Sequence, residues 1–274
     1  MSISVLLLLF CLGAVVGVLA GLMGIGGGMV MVPFLIAAFK AEGYPPESLI
    51  KMAIATSLAT IIFTAVSSVW GHHQRGSVIW PAVRIMAPGI MLGALVGAQL
   101  VGFAPAALVS AVFAGFLLWS AWSIALKKQK TVAHESSGQV SRTSLAVGGI
   151  GIGSVSSVVG AGGGFLTVPF LIRRGMAPAR AVACSAACGL PIALAGTVGY
   201  IIAGERVDLA GAVVGFIHIP ALLAIAAASV MTAPFGVKMA HHLSPENLRK
   251  VMGVLLTMLA AYMISQTFAA LMSA

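Results

Sequence analysis

Charged residues are scarce in this chain of 274 residues. They make up 8% of it, whereas a soluble globular protein carries about 25%. Hydrophobic residues account for 60%, and the mean hydropathy is +1.09. This composition excludes a water-soluble fold. The excess of 15 Lys and Arg over six Asp and Glu therefore indicates cytoplasmic membrane loops rather than a nucleic-acid-binding surface.

Other common features are also missing. The three cysteines, Cys11, Cys184 and Cys188, are odd in number and lie among apolar residues, so a disulfide framework is not expected. The stretch from Met1 to Ala20 is apolar but lacks the basic start of a secretory signal peptide, and it is interpreted as a first membrane helix. Neither glycine run fits a nucleotide-binding motif, which argues against an ATP-driven process.

Long apolar segments fill the chain, whose length accommodates about eight to ten membrane spans of about 20 residues. The second and seventh segments are too short to cross about 30 Å of hydrocarbon as straight helices. The predicted fold class is all-α and polytopic, with about ten transmembrane segments. The alternative is eight spanning helices plus two broken or re-entrant segments. The segments are about residues 3–22, 29–39, 50–70, 79–101, 105–126, 145–159, 165–172, 179–203, 209–235 and 248–271.

The chain contains two copies of one unit. The sequence GIGGGMVMVPFLI at positions 24–36 returns as GAGGGFLTVPFLI at positions 160–172. Farther along, the copies align in a shifted register, in which ATS at 55–57 corresponds to ACS at 183–185. Such self-similarity predicts a duplication. The predicted units are a first repeat over 1–126, a hydrophilic cytoplasmic linker over 127–142 and a second repeat over 143–274.

The distribution of cations indicates how often each repeat crosses the membrane. Five crossings per repeat, with a cytoplasmic linker, place 12 Lys and Arg inside and only Lys40, Lys51 and Arg206 outside. Four crossings would place seven inside and eight outside. The positive-inside rule therefore favours five. An odd number makes the two repeats antiparallel, as in many secondary transporters, and puts both termini in the periplasm.

The duplicated glycine runs predict a break in the helices of each repeat. A glycine costs about 1 kcal/mol in a helix relative to alanine, and opened backbone is tolerated in a membrane only inside protein or beside water. The prolines that follow are predicted to start or kink the next segment. Amides at such a helix start, with the positive end of the helix dipole, favour an anion. The predicted binding residues are Gly24, Gly26, Gly27, Gly28 and Pro33, with Gly160, Gly162, Gly163, Gly164 and Pro169.

Close helix packing is the alternative explanation for glycine in membrane helices. It is the preferred interpretation for glycines that are spaced by four residues elsewhere in the chain, and it stays open for the duplicated runs. The packing glycines are Gly17 and Gly21, Gly89, Gly93 and Gly97, and Gly211 and Gly215.

These features together resemble a known family. The two Gly-x-Gly-Gly-Gly runs with Val-Pro-Phe-Leu, the Ala-Thr-Ser and Ala-Cys-Ser helices after them and the basic midpoint linker are similar to the TauE/SafE sulfite exporter family. The resemblance covers nearly the whole chain. It implies a bacterial inner-membrane transporter of sulfite, sulfoacetate or related sulfur-containing or organic anions, and it fixes neither the anion nor the direction.

Few polar residues lie inside the apolar segments, and each is a candidate for function. The shifted register of the two copies pairs Thr56 with Cys184 and Ser57 with Ser185, so duplication places both pairs at the same predicted site. Cys188 lies on the same helical face as Cys184. The alternative for all five is structural: a hydrogen bond to their own or a neighbouring helix, or apolar packing of the thiols.

His218 is the candidate for proton coupling. It lies beside Pro220 and is predicted about ten residues inside the ninth segment, near the middle of the bilayer. No Asp or Glu is predicted as deep, and an imidazole titrates near neutral pH. A neutral histidine bonded to a carbonyl that Pro220 leaves free is the structural alternative.

The repeats and glycine runs predict a secondary transporter of a small anion by alternating access, and the resemblance implies that it lies in the inner membrane and exports sulfite or an organosulfonate-type compound. Its predicted partners are the anion and the lipid bilayer, without a cofactor, a bound metal or nucleic acid, and a homo-oligomer is one option for its assembly. A transition-metal permease is the alternative function, suggested by 14 Met, three Cys and six His. An intramembrane enzyme is a third class, but His218 has no identifiable partner for nucleophilic catalysis.

The charge distribution makes the topology testable. With Ala274 in the periplasm, an alkaline phosphatase fusion at that residue should be active and a green fluorescent protein fusion dark. A fusion after Lys130, in the linker, is the control and should show the opposite pattern. Fluorescence at Ala274 without phosphatase activity would contradict five crossings per repeat and the antiparallel arrangement.

Overall fold

The computed structural model describes residues 2–23, 27–126, 141–207, 209–239, 253–254 and 256–265. Helices make up most of these residues, and each of the ten predicted apolar segments contains one. The elements are α1 (Ile3–Met23), α2 (Gly28–Ala41), α3 (Pro46–Gln74), α4 (Trp80–Phe103), α5 (Ala106–Leu126), α6 (Arg142–Val159), α7 (Gly164–Ile172), α8 (Pro178–Gly204), β1 (Val213–Val214), β2 (Ile217–His218), α9 (Ile219–Met239) and α10 (Leu256–Ser265).

Six of the described helices are long and apolar enough to cross a membrane: α1, α3, α4, α5, α8 and α9. The chain is therefore an all-α, multi-pass membrane protein. Ten crossings stay a prediction, because α2 and α7 are shorter than a full span. Of the predicted linker, residues 127–140 lie outside the described residues.

The predicted helix over residues 209–235 is wrong in its first part, over 209–218. The strands β1 and β2 pair there as an antiparallel hairpin, and α9 begins only after them. Gly211 and Gly215 have φ of 95° and 59°, which a right-handed helix does not contain. Neither glycine lies on a helix, so their spacing does not mark a helix face. Gly215 nevertheless packs closely on α8, where a Cβ would meet the backbone of Ile201 and Tyr200.

Helices α3 and α8 form the centre of the protein. In their most apolar windows 78% of the residues are buried, against 33–39% in the other four long apolar helices. The two helices contact each other and are equivalent in the two repeats. The core therefore lies where corresponding helices of the two repeats meet.

Glycine allows α4 and α6 to pack closely and in parallel. Gly89 lies against Ala146 and Gly93 against Ile150, and a Cβ on either glycine would collide with a carbonyl oxygen of α6. Gly97 continues the row one turn later. Helices in lipid associate through van der Waals contact rather than the hydrophobic effect, so small residues favour such a close approach. The packing role predicted for these three glycines is confirmed.

The interface between α1 and α9 has the same construction. Gly13 lies against Ile225 and Gly17 against Ser229, so these helices also run in parallel. The counterparts of both glycines in α6 pack on α4 in the same way. Each repeat thus packs its first helix on the fourth helix of the other repeat.

Helices α1 and α2 form a hairpin. The N–H of Ser2, before α1, donates to Oε1 of Glu42, after α2, across 2.9 Å. In the second repeat the guanidinium of Arg174, after α7, donates to Oγ of Ser144 in the first turn of α6, across 2.6 Å. The start of the longer helix and the end of the shorter one therefore lie on the same side. This geometry excludes a glycine run that merely interrupts one continuous helix.

Candidate functional site

The fourth residue of each glycine run is left-handed and directly precedes the first residue of a helix. Gly27 has φ 61° and caps α2, and Gly163 has φ 76° and caps α7. Glycine adopts such angles without strain, which is why both helices begin at these positions. The first amides of a helix have no intrahelical partner and carry the positive end of its dipole. Two other predicted binding residues, Gly24 and Gly26, lie outside the described residues.

Pro33 and Pro169 lie inside the short helices instead of at their starts. Gly28 and Gly164 begin these helices more than a turn earlier, so of the two predicted roles, to start or to kink the segment, the first is wrong and the second stays a prediction. A proline has no N–H and leaves the carbonyl four residues earlier without its helical donor. In each short helix the proline therefore removes one helical hydrogen bond from the turn that follows the glycine break.

Ser57 joins the two glycine runs. Its hydroxyl lies 3.2 Å from the carbonyl oxygen of Gly28 and 3.0 Å from that of Gly160, and it can donate to either. A Cβ at Gly28 would collide with the Gly160 carbonyl, so the two runs touch at the backbone. Ser57 is fully buried. Ser57, a predicted binding residue, therefore contacts backbone carbonyls of both runs, and its role in binding stays a prediction.

Ser185, the counterpart of Ser57, does not repeat this arrangement. It is fully buried in α8, and its hydroxyl has no hydrogen-bond partner within the described structure. Gly162 lies near this part of α8, where a Cβ at Gly189 would come 3.2 Å from its carbonyl oxygen. The two halves of the site are thus related by duplication but differ in their hydrogen bonds.

Thr56 and Cys184 each accept a hydrogen bond from the residue that precedes the fourth helix of the other repeat. The N–H of His218, before α9, donates to Oγ1 of Thr56 across 3.1 Å. The N–H of Ile79, before α4, donates to Sγ of Cys184 across 3.2 Å. Each side chain therefore anchors a helix of the other repeat. The role of Ile79 was not predicted from the sequence.

His218 belongs to the hairpin, immediately before α9, and does not lie deep inside a helix. It is buried, as expected, and its Nδ1 accepts the N–H of Ala221 across 3.1 Å. The ring centroid lies 5.2 Å from that of Phe39 and 5.6 Å from that of Tyr44. Burial, with a smaller effect of the Glu42 charge, raises the pKa of the Tyr44 phenol, so this neighbour is neutral at physiological pH.

The cysteines and histidines do not form a metal site in the part of the chain that is described. Cys188 is fully buried in the apolar core, one turn after Cys184. Among the described residues no group of three or more His, Cys, Asp or Glu could hold a metal ion. The donor set of a transition-metal centre is therefore not found in these ranges.

A cleft reaches the second glycine run. A water-sized molecule can occupy about 10 Å³ of it, which is room for about one water molecule. The last part of α3 forms one wall, and the opposite wall is made of α1, α8 and the glycine turn. The lining residues are Ala20, Ile61, Thr64, Ala65, Ser68, Gly162, Ala186 and Gly189.

Short helices that start at buried glycine breaks inside a bundle of apolar helices are typical of membrane transporters. A family profile described as "Sulfite exporter TauE/SafE" matches residues 9–263. The chain belongs to this family, which confirms the resemblance noted in the sequence, and it is a membrane transporter.

Curated relatives agree with this assignment. The chain is 35% identical over 259 residues to a probable membrane transporter protein of Haemophilus influenzae, covering 94% of this chain and 97% of that protein. It is 26% identical over 258 residues to one of Methanocaldococcus jannaschii, with 94% of each covered. The probable membrane transporter protein YdhB of Bacillus subtilis is 27% identical over 205 residues, covering 73% and 79%. No solved structure matches the chain.

The contact of Ser57 with both glycine runs predicts a measurable loss of stability. Ser57→Ala removes a hydroxyl that can donate to either of two buried carbonyls, and it should lower the free energy of unfolding by about 1–3 kcal/mol. Thermal unfolding of the purified protein in detergent checks this. Ser229→Ala is the matched control, because among the described residues that buried hydroxyl donates to Ala226 of its own helix. Equal destabilisation by both substitutions would contradict the bridging role.

Proposed function

We propose that this protein is a secondary transporter that exports small anions, sulfite or organosulfonate-type sulfur compounds, across the bacterial inner membrane by alternating access. The family description supports sulfite as the substrate and export as the direction. The site supports an anion, because two helices start at buried glycines in the core. The observation that carries the proposal is the meeting of both glycine runs at Ser57.

The proposed repeats are inverted, and helix directions support this arrangement. The chain reverses between α1 and α2, again after α2 and again after α3. After these three reversals α4 runs opposite to α1. Because α6 packs parallel to α4, it also runs opposite to its counterpart α1. Inverted repeats allow the site to open to one side or the other by exchange of the conformations of the two halves. The charge distribution then favours periplasmic termini.

A substitution at Gly163 tests the anion site. A Cβ there would meet the Ile192 side chain, so we pair Gly163→Ala with Ile192→Val, which removes the colliding atom. The added methyl group and the altered backbone should lower transport of sulfite and sulfoacetate by about tenfold, the effect of losing one hydrogen bond to a charged ligand. Flux into proteoliposomes measures this, and melting temperature in detergent reports folding.

Two controls make this result interpretable. Ile192→Val alone should transport as the wild type does, because it leaves the glycine turn intact. Gly93→Val should reduce stability more than anion affinity, since that glycine packs α4 on α6. Normal transport by the folded double variant would refute an anion site at the helix start. Transport of Ni²⁺ or Cu⁺ instead of any anion would favour a metal permease.

We also propose that His218 couples transport to protons. Its buried position before α9 supports this, because its protonation would place a charge where α9 meets Thr56. His218→Asn keeps an acceptor near the position of Nδ1 and should flatten the pH dependence of sulfoacetate transport on the acidic side of neutrality, because burial lowers the pKa of His218 below its ordinary value. His73→Asn, at the exposed end of α3, is the control and should retain it. An unchanged pH profile in the folded His218 variant would leave this residue a structural role only.

A further inference from the structure

We infer that the start of α6 and the end of α7, which carry Arg142, Arg173 and Arg174, bind the phosphate headgroup of an anionic phospholipid. These three residues are called the cation cluster below. They lie at the end of both helices that is predicted to be cytoplasmic. The inference does not depend on which substrate the protein transports, because the cluster is separate from the glycine runs.

Arg174 is held in a fixed orientation. Its guanidinium lies on the ring of Phe170, 3.6 Å from the centroid, and its Nε and Nη2 donate to Oγ of Ser144 across 3.1 and 2.6 Å. Its Nη1 donates to the carbonyl oxygen of Phe170 across 3.4 Å. A guanidinium has five N–H groups, so these bonds leave others available for a further acceptor. Because the side chain is only half-buried, an oriented donor for a phosphate oxygen is present at the protein surface.

Arg142 and Arg173 lie beside this donor. The bond between Arg174 and Ser144 joins the end of α7 to the first turn of α6, and each of the two other cations lies within two residues of it along the chain. Both are exposed, and neither has a partner among the described residues. The first amides of α6 lack intrahelical partners, and no side chain caps them. Several donors for an anion are therefore brought to one place.

No described carboxylate balances this charge. The described acidic residues, Glu42, Glu47 and Glu205, all lie at the opposite end of the helices. Arg84, an exposed residue near the start of α4, adds positive charge at the same end as the cluster, because α4 runs parallel to α6. Anionic lipid is attracted to such a surface, and each cation near it adds about fivefold to the affinity.

The adjacent surface favours a lipid over a soluble anion. Val147, one turn after Ser144, is 62% exposed, and Ile150 is 41% exposed. The ring of Phe170 lies where a Cβ of Gly148 would point, so α7 is packed against α6 at this level. An acyl chain can lie on this apolar face while its phosphate reaches the arginines. Apolar burial and charge attraction then act together, and a soluble anion has only the second.

The first repeat lacks the cluster. In the register of the glycine runs, the counterparts of Arg142, Ser144, Arg173 and Arg174 are Leu6, Leu8, Ala37 and Ala38. The aromatic ring is retained, since Phe34 corresponds to Phe170. The duplicated scaffold therefore carries the lipid site at one membrane surface only, in its second copy.

Short-chain lipids added to the purified, delipidated protein in neutral detergent test the inference. Dioctanoyl phosphatidylglycerol should raise the melting temperature in a saturable way, since it binds the folded state, and dioctanoyl phosphatidylcholine should raise it less. Arg142→Gln combined with Arg173→Gln should weaken phosphatidylglycerol binding about 25-fold, at about fivefold for each lost cation. Without lipid this variant should melt as the wild type does, because neither side chain has a partner in the described structure.

Lys40→Gln combined with Arg206→Gln is the matched control, because it removes the same charge from the opposite end of the helices. It should leave phosphatidylglycerol binding unchanged. Equal weakening by both pairs would reduce the effect to net charge and overturn the site, as would equal binding of the two lipids. Glycerophosphoglycerol, the same headgroup without acyl chains, should not compete at the concentrations used. Competition by it would assign the cluster to a soluble anion and overturn the lipid.

Discussion

The structure depends on pairing backbone that is opened inside a membrane. Lipid offers no donors or acceptors, so a helix that stops in the core must satisfy its carbonyls within the protein. One hydroxyl, that of Ser57, lies within reach of a carbonyl from each glycine run. A side chain at Gly28 would separate the runs and break this contact. The contact between the repeats therefore depends both on the glycines, which let the runs meet, and on Ser57, which bonds to them. A change to one of these features affects the others.

The same dependence on close backbone contact extends to the long helices. In both glycine-rich interfaces the first helix of one repeat packs on the fourth helix of the other, α1 on α9 and α6 on α4. Thr56 and Cys184 add hydrogen bonds from one repeat to the residue that precedes that fourth helix. The repeats are thus interlocked rather than placed side by side. A movement of either α4 or α9 must also change the contacts that it makes with the opposite repeat.

The sequence predicted the features that depend on local chemistry. Consecutive glycines predicted the helix breaks, and the spacing of Gly89, Gly93 and Gly97 predicted a packed face. The hairpin before α9 was missed, because a short apolar run does not distinguish strand from helix by periodicity. Ile79 and His218 are equivalent, because each directly precedes the fourth helix of its repeat. The hairpin changes the offset between the two copies a second time, so the sequence alignment did not pair these residues. The partner of Ser57 at Gly160 lies in the other repeat and could not be read from local pattern at all.

Divergence between the repeats matters as much as their likeness. The glycine turns are retained in both, whereas Ser68 differs from its counterpart Gly196, and Thr64 differs from Ile192, whose side chain reaches Gly163. The two helix starts therefore share a backbone conformation but not the side chains that face them, so duplication of the glycine turns has not produced two chemically equivalent halves.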